Sequence, residues 1–251
     1  MTEQRDGEFR APDWDALKMD TRDPFAELEP LDAEIALVDA TLEALKDAGI
    51  IARTSYDQAA FAAHREAVRG SFEIPWTAIS PRQERLIWAL NAIRRPARMI
   101  AAGVFCGFTF ICNAGAGVGP GAVYEPEDLV GLEIKPEEAE RAARNVRAVA
   151  QDGVARVLAE DAVEFVAGYD APIDLLYLDA DGDGGRGKGI YLEIVEAAYE
   201  RLSPGALVLA HNSVNCAEKL ADYLAFVRDP AQMSASINVI LDTEGLEVSA
   251  R

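Results

Sequence analysis

Cysteine and histidine are scarce in this sequence, with three of one and two of the other among 251 residues. Cys106, Cys112 and Cys216 are odd in number, stand in apolar surroundings and lack zinc-ligand spacing. That speaks against a disulfide framework or a structural zinc site, and buried free thiols are expected. Long hydrophobic runs are lacking as well. No apolar stretch reaches the roughly 18 residues that cross a bilayer, and the opening MTEQRDGEFR has no apolar segment of the signal-peptide type. A cytoplasmic protein without a membrane partner is therefore expected. Basic residues are few beside acidic ones, 24 Lys and Arg against 43 Asp and Glu, for a formal charge of −19. Such a surface repels a phosphate backbone, which argues against nucleic acid and leaves a small molecule as the expected substrate.

Half of the residues are apolar and 27% are charged, the balance of a globular chain able to bury one large domain. Residues 1–28 mix Asp, Glu, Pro and Trp14 without periodicity and predict a loose arm or strap. Leu31, Ile35, Val38, Leu42 and Leu45 then recur at helical spacing up to Gly49, a C-terminal cap. Ser55 with Gln58 resembles a capping box for a second helix ending near Gly70, and Ser80-Pro81-Arg82-Gln83 opens a third running to about Ile93. After Pro96 short apolar runs alternate with helical segments, the pattern of a parallel sheet wrapped by helices. Strands are predicted near 98–103, 128–134, 154–159, 173–179, 205–210, 235–241 and 245–249. Helices are predicted at about 107–115, 136–151, 161–168, 188–202 and 215–228, and the last two strands read as a hairpin with one member antiparallel. The chain thus divides into an N-terminal arm and helical lid, 1–78, and an α/β body, 79–251.

Ligands of an open α/β sheet sit at the carboxyl ends of its strands, near the point where strand order reverses. The first strand ends in Ala101-Ala102-Gly103-Val104-Phe105-Cys106-Gly107, a glycine turn opening onto a helix. Gly103 and Gly107 would let a ligand approach the backbone, and the helix start would offer amides to an anion. The spacing is not the dinucleotide G-x-G-x-x-G, and residues 115–120 fail it too, because Pro120 stands where the last glycine belongs. The second strand ends in Glu133, whose carboxylate can accept both hydroxyls of a ribose.

Taken in order, these segments resemble the class I S-adenosylmethionine-dependent methyltransferases, the small-molecule O-methyltransferase branch most closely. Residues 79–83 resemble its lead-in helix, 103–107 its first motif, Gly131-Leu132-Glu133 its ribose-binding strand end and 159–162 its adenine-cupping segment. Residues 174–181 resemble its fourth strand and 202–207 the turn into its fifth. The resemblance implies a Rossmann-like, doubly wound, mostly parallel seven-stranded sheet with an antiparallel C-terminal hairpin, preceded by a helical lid. It implies S-adenosylmethionine as cofactor and a small-molecule acceptor, and a homodimer is compatible with it. Carried over residue by residue, Glu133 would bind ribose, Asp161 and the Ala162 amide adenine, and Gly103, Val104, Phe105 and Gly107 the methionine part. Asp179 would stand at the reaction centre beside His211, a candidate general base at the end of the fifth strand. Tyr177 joins Phe105, Phe108 and Phe110 in an aromatic group able to face a sulfonium.

The departures matter as much. Ala101 stands where the family usually has an acid for the methionine ammonium, and His211-Asn212 replaces the Asp-Asn of metal-dependent members. Replacing a hard carboxylate by imidazole disfavours Mg²⁺, so no metal is expected. The family's Lys and Tyr reappear as Lys188 and Tyr191 behind a glycine-rich insertion, 182–187, read as a mobile lid or loop. Asp179, Asp181, Asp183 and Gly184 imitate the start of a calcium loop that fails at Ile190. His64 is expected to be structural or on the surface. The main expectation is methyl transfer to an oxygen. The alternative, suggested by Ala101, is cyclisation of the cofactor itself with release of methylthioadenosine, as in azetidine-2-carboxylate synthases.

Overall fold

In the computed structural model the described residues are 3–5, 7–151 and 153–251. The body begins with β3 (Arg98–Ala102), β4 (Asp128–Leu132) and β5 (Ala155–Leu158), all parallel, then returns to the other side of β3 with β6 (Ile173–Leu178) and β7 (Leu202–His211). β8 (Ala235–Ile240) and β9 (Leu246–Ala250) form the hairpin, with β9 antiparallel to both β7 and β8. Strand order reverses between β3 and β6, where a ligand crevice is expected in this topology. The strands are runs such as MIAA and LLYL because both faces are covered. Met99 and Ala101 enter one core cluster, while Ile100 and Ala102 enter the other.

The seven expected strands are extended by two more into a nine-stranded sheet with β5 at one edge. β1 (Glu3–Arg5) and β2 (Glu8–Arg10) form a hairpin that adds to the free edge of β8, with β2 parallel to it. The stretch read as a loose arm is therefore partly sheet, and Phe9 is buried in the core. β7 also starts earlier than expected, running through Pro204, and the last helix is shorter, α8 (Ala221–Val227), after a turn-rich stretch.

The N-terminal helices α1 (Leu31–Asp47) and α2 (Gln58–Ser71) pack on α3 (Pro81–Arg94), which is buried along nearly its whole length. Val38, Leu42 and Leu45 are buried as the spacing predicts, while Leu31 is left exposed. Asp57, not Ser55, caps α2, accepting from the amides of Ala59 and Ala60. Ser80 and Pro81 open α3 as expected. Burying α3 also buries its charges, which must then be paired. The Arg82 guanidinium donates to both carboxylate oxygens of Asp13 at 2.9 Å and of Glu29 at 2.6 and 2.7 Å. Arg85 pairs with Glu34 at 2.6 Å, and Arg65 bridges Glu34 and Glu84 at 2.9 and 2.8 Å. These pairs fasten the N-terminal segment to the body.

The remaining helices α4 (Phe108–Ala114), α5 (Pro136–Val149), α6 (Ala162–Gly168) and α7 (Ile190–Ala198) cover the two sheet faces. Gly103, after β3, has φ +79, and a Cβ there would stand 2.4 Å from the Ala180 backbone. Its glycine is required by the close approach of β3's end to the loop after β6. Gly153 shares φ +79 but faces open space, so Gly153→Ala is expected to cost only the conformational penalty of about 1–2 kcal/mol. Gly103→Ala should cost clearly more in denaturant unfolding; equal losses would show that the contact with Ala180 is not a constraint.

Candidate active site

A cavity of about 500 Å³ opens at the carboxyl ends of the central strands. Its wall runs from Glu133 and Asp161, beyond β4 and β5, past Gly103 and Asp179, to His211 and Glu244, beyond β7 and before β9. Val104, Phe105 and Ala162 line it as well, whereas Gly107 and Tyr177 do not. Among the described residues of the N-terminal segment, 76–78 reach the wall, followed there by Ile79 at the start of the body; α1 and α2 contribute none of it. Trp76 lies at its mouth, half exposed and tilted against Phe105 at 5.1 Å between ring centroids.

Glu133 is 9% exposed and held by two backbone amides, Phe105 N at 2.9 Å on Oε2 and Lys135 N at 3.1 Å on Oε1. Phe105 takes a left-handed φ of 47°, a conformation the Glu133 contact helps to hold. The amides of Gly103 and Val104 bond to Leu132 O and that of Gly107 to Val104 O. These three amides are thus already engaged within the turn. Gly107 closes the turn with φ 87 and packs against Ala142 of α5. Asp161 caps α6 through Glu164 N at 3.0 Å.

At the other end, three groups converge. Lys188 Nζ donates to Asp179 Oδ1 and to the Asp179 carbonyl, both at 2.8 Å, and His211 Nδ1 lies 3.3 Å from the same Oδ1. Burial alone would raise the Asp179 pKa, but the charges of His211 and Lys188 overcome it and hold the carboxyl below its usual range. Burial would likewise depress His211 and Lys188; the Asp179 charge reverses this and raises both. His211 is 1% exposed, and its Nε2 has no hydrogen-bond partner within the protein. A buried polar atom left unpaired costs free energy that a ligand group can recover.

The 182–187 insertion is a compact turn, closed by paired backbone hydrogen bonds between Gly182 and Gly187 of 2.9 and 3.1 Å, and it returns Lys188 to Asp179. Sequence reasoning noted this lysine without giving it a place in the site. It also missed Glu244, a cavity residue on the turn before β9. Thirty-odd residues separate Glu244 from His211, and no local spacing links them.

Tyr177, expected at the reaction centre, is fully buried in the core beside Ala101, its register partner on β3. Burial pushes its phenol pKa well above the usual value, so it is no proton acceptor near neutrality. Ala101 also faces this core and not the cavity, which removes the reason for expecting a cofactor counter-ion at position 101. His64 is buried as a structural residue between Phe61 and Trp88, its pKa pushed down by burial to about 3.

The donors do not suit a divalent cation. The Lys188 ammonium already sits on Asp179 Oδ1, and the Asn212 amide donates to Glu244 at 2.7 Å. Among the described residues no group of three His, Cys, Asp or Glu stands close enough to bind a metal.

The sheet is doubly wound, with a carboxylate, Glu133, after its second core strand and a polar cluster after its fourth and fifth. Residues 100–213 match the family described as a methyltransferase domain. Solved structures with the same fold include an O-methyltransferase from Bacillus cereus in complex with S-adenosylhomocysteine, 16% identical, with 84% of this chain and 96% of that one covered and a TM-score of 0.57. The O-methyltransferase TomG from Streptomyces achromogenes, in complex with S-adenosylmethionine, is 22% identical over 78% and 90% of the two chains, TM-score 0.56. A methyltransferase from Podospora anserina bound to S-adenosylhomocysteine is 14% identical over 90% and 100%, TM-score 0.60. A sequence comparison with curated proteins finds no match.

With His64 down at about 3, His211 should be the imidazole that titrates at the higher pH in an NMR experiment. Its pKa should lie above the usual imidazole range and fall when Asp179→Asn removes the partner charge; an unchanged value would exclude the ion pair. Chelation with EDTA is expected to leave turnover within about twofold, because the ammonium stands where a cation would need oxygen ligands. A loss that Mg²⁺ restores would contradict the assignment.

Proposed function

We propose that the enzyme moves a methyl group from S-adenosylmethionine to an oxygen of a small acceptor, with His211 as the proton acceptor. The observation that carries this reading is the buried, unpartnered Nε2 of His211 at the cavity wall, with Nδ1 turned to Asp179. When bound, the cofactor supplies a sulfonium methyl whose loss to a nucleophile leaves a thioether. Glu133 accepts the ribose hydroxyls with lone pairs that its two amides leave free. Asp161 and Ala162 border the adenine, and Gly103, Val104 and Phe105 the methionine part.

His211 Nε2 removes the acceptor's hydroxyl proton as the oxygen electron pair forms the new O–C bond, and the proton stays on the imidazole. Asp179 fixes the Nδ1–H tautomer and stabilises the imidazolium, as the acid does in other His–Asp pairs. Lys188 keeps Asp179 ionised through the cycle. Closure over the acceptor falls to residues 76–79 and not to α1 or α2. The formal charge of −19 supports a small-molecule acceptor with no nucleic-acid partner, in a cytoplasmic setting. Cyclisation of the cofactor gains no support, since position 101 does not line the cavity.

S-Adenosylhomocysteine should raise the melting temperature by mass action, and Glu133→Ala should abolish most of that shift. His211→Gln should keep the shift while lowering kcat by about 10²–10⁴-fold with an acceptor found by screening. Methylthioadenosine released from S-adenosylmethionine alone, at a rate matching turnover, would overturn methyl transfer in favour of cyclisation.

A further inference from the structure

Glu244 stands beyond the reaction centre, at the end of the cavity opposite Glu133. Sheet order places β4 on one side of β3, and β6, β7 and β9 on the other. Glu244, in the turn leading into β9, therefore faces the acceptor's side of His211 rather than the nucleoside's. The turn is built to hold it. Asp242 accepts from the amides of Glu244 and Gly245 at 3.0 and 3.3 Å and from Gln83 Nε2 at 2.8 Å, and it also accepts from the Ser80 hydroxyl. Val214 N bonds to the Glu244 carbonyl at 2.9 Å.

Both side-chain donors to Glu244, the amides of Asn212 and Asn215, converge on Oε2. Both are neutral, and among the described residues no cation pairs with this carboxylate. Lys188 nearby is committed to Asp179, and His211 turns its Nδ1 to the same carboxylate. A partly buried carboxylate with no direct ion pair among the described residues, which burial holds above its usual pKa although the His211 charge opposes this, is stabilised by a cationic partner. The His211 Nε2 beside it is a second unpartnered group, fully buried at the same end of the cavity. A chain of charge −19 also draws cations toward such a cleft and repels anions.

We infer that the acceptor is a hydroxylated amine, its hydroxyl presented to His211 and its protonated amine held by Glu244. This rests on the methyltransferase reading above and adds the acceptor's chemical class to it. The amine gives a charge-assisted hydrogen bond that a neutral or anionic analogue cannot give.

The test uses the full chain saturated with S-adenosylhomocysteine and three probes that differ in one group: tyramine, 4-ethylphenol and 3-(4-hydroxyphenyl)propionate, titrated by calorimetry. Tyramine should bind roughly tenfold or more tighter than either of the others, the range of a charge-assisted hydrogen bond. Glu244→Gln, with an unchanged melting temperature as its check on folding, should erase that preference and leave S-adenosylhomocysteine affinity as it was. Undetectable tyramine binding, equal or reversed preference in the wild type, or a preference that survives in Glu244→Gln would each overturn the inference while leaving methyl transfer standing. Weakened S-adenosylhomocysteine binding in Glu244→Gln would overturn it differently, by giving the carboxylate to the cofactor's own ammonium. A wild type that does not bind S-adenosylhomocysteine at all would sink the methyltransferase reading itself. The wild-type comparison of the three probes decides the matter even if the variant does not fold.

Discussion

Asp179 is a carboxylate largely removed from water at the point where strand order reverses, and the reaction end of the molecule is arranged around compensating it. Uncompensated, a buried charge costs several kcal/mol. Here Lys188 supplies a counter-charge at 2.8 Å and the His211 Nδ1 a polar contact at 3.3 Å, both on the same oxygen. For Lys188 to arrive, the insertion after β6 has to fold back on itself, which the Gly182–Gly187 bridge achieves. For His211 to arrive, β7 has to run its full length to the cavity rim. The chemistry follows from the same pairing, because one imidazole nitrogen is committed to the carboxylate and the other is left facing the cavity.

The opposite end obeys a different constraint. Glu133 is compensated only by backbone amides, and one of these belongs to Phe105, whose left-handed conformation shapes the turn after β3. Both ends of the cavity are thus pre-set by interactions internal to the protein, which reduces the ordering that binding has to supply. Behind both, α3 carries a network of buried arginine–carboxylate pairs that draws in Asp13, Glu29 and Glu34 from the N-terminal segment. Residues 76–79, between α2 and α3, inherit their position at the cavity from that bracing.

The strands of the body were legible because a parallel sheet covered on both faces needs uninterrupted apolar runs, and these are present from Arg98 onward. Glu133, Asp161, Asp179 and His211 were legible because each follows such a run or caps the helix after it. β1 and β2 were not legible: each spans three residues, rich in charge, and the outer one of the pair meets β8 only through β2. Gly103 was legible as a glycine position, but the close approach of the Ala180 backbone that requires it there was not. Tyr177 failed as a site residue because strand alternation, read one residue further, turns it into the core beside Ala101. Lys188 and Glu244 were hidden by separation along the chain, one behind an insertion and the other on a hairpin that looked like a plain turn.

The most direct check of the central claim is a crystal structure of the protein saturated with S-adenosylhomocysteine. The account predicts the ribose hydroxyls on Glu133 and the thioether sulfur at the end of the cavity formed by Asp179, Lys188 and His211, with Lys188 still on Asp179. A ligand lying in the reverse sense, or one that draws Lys188 away from Asp179 to let a metal ion in, would contradict it.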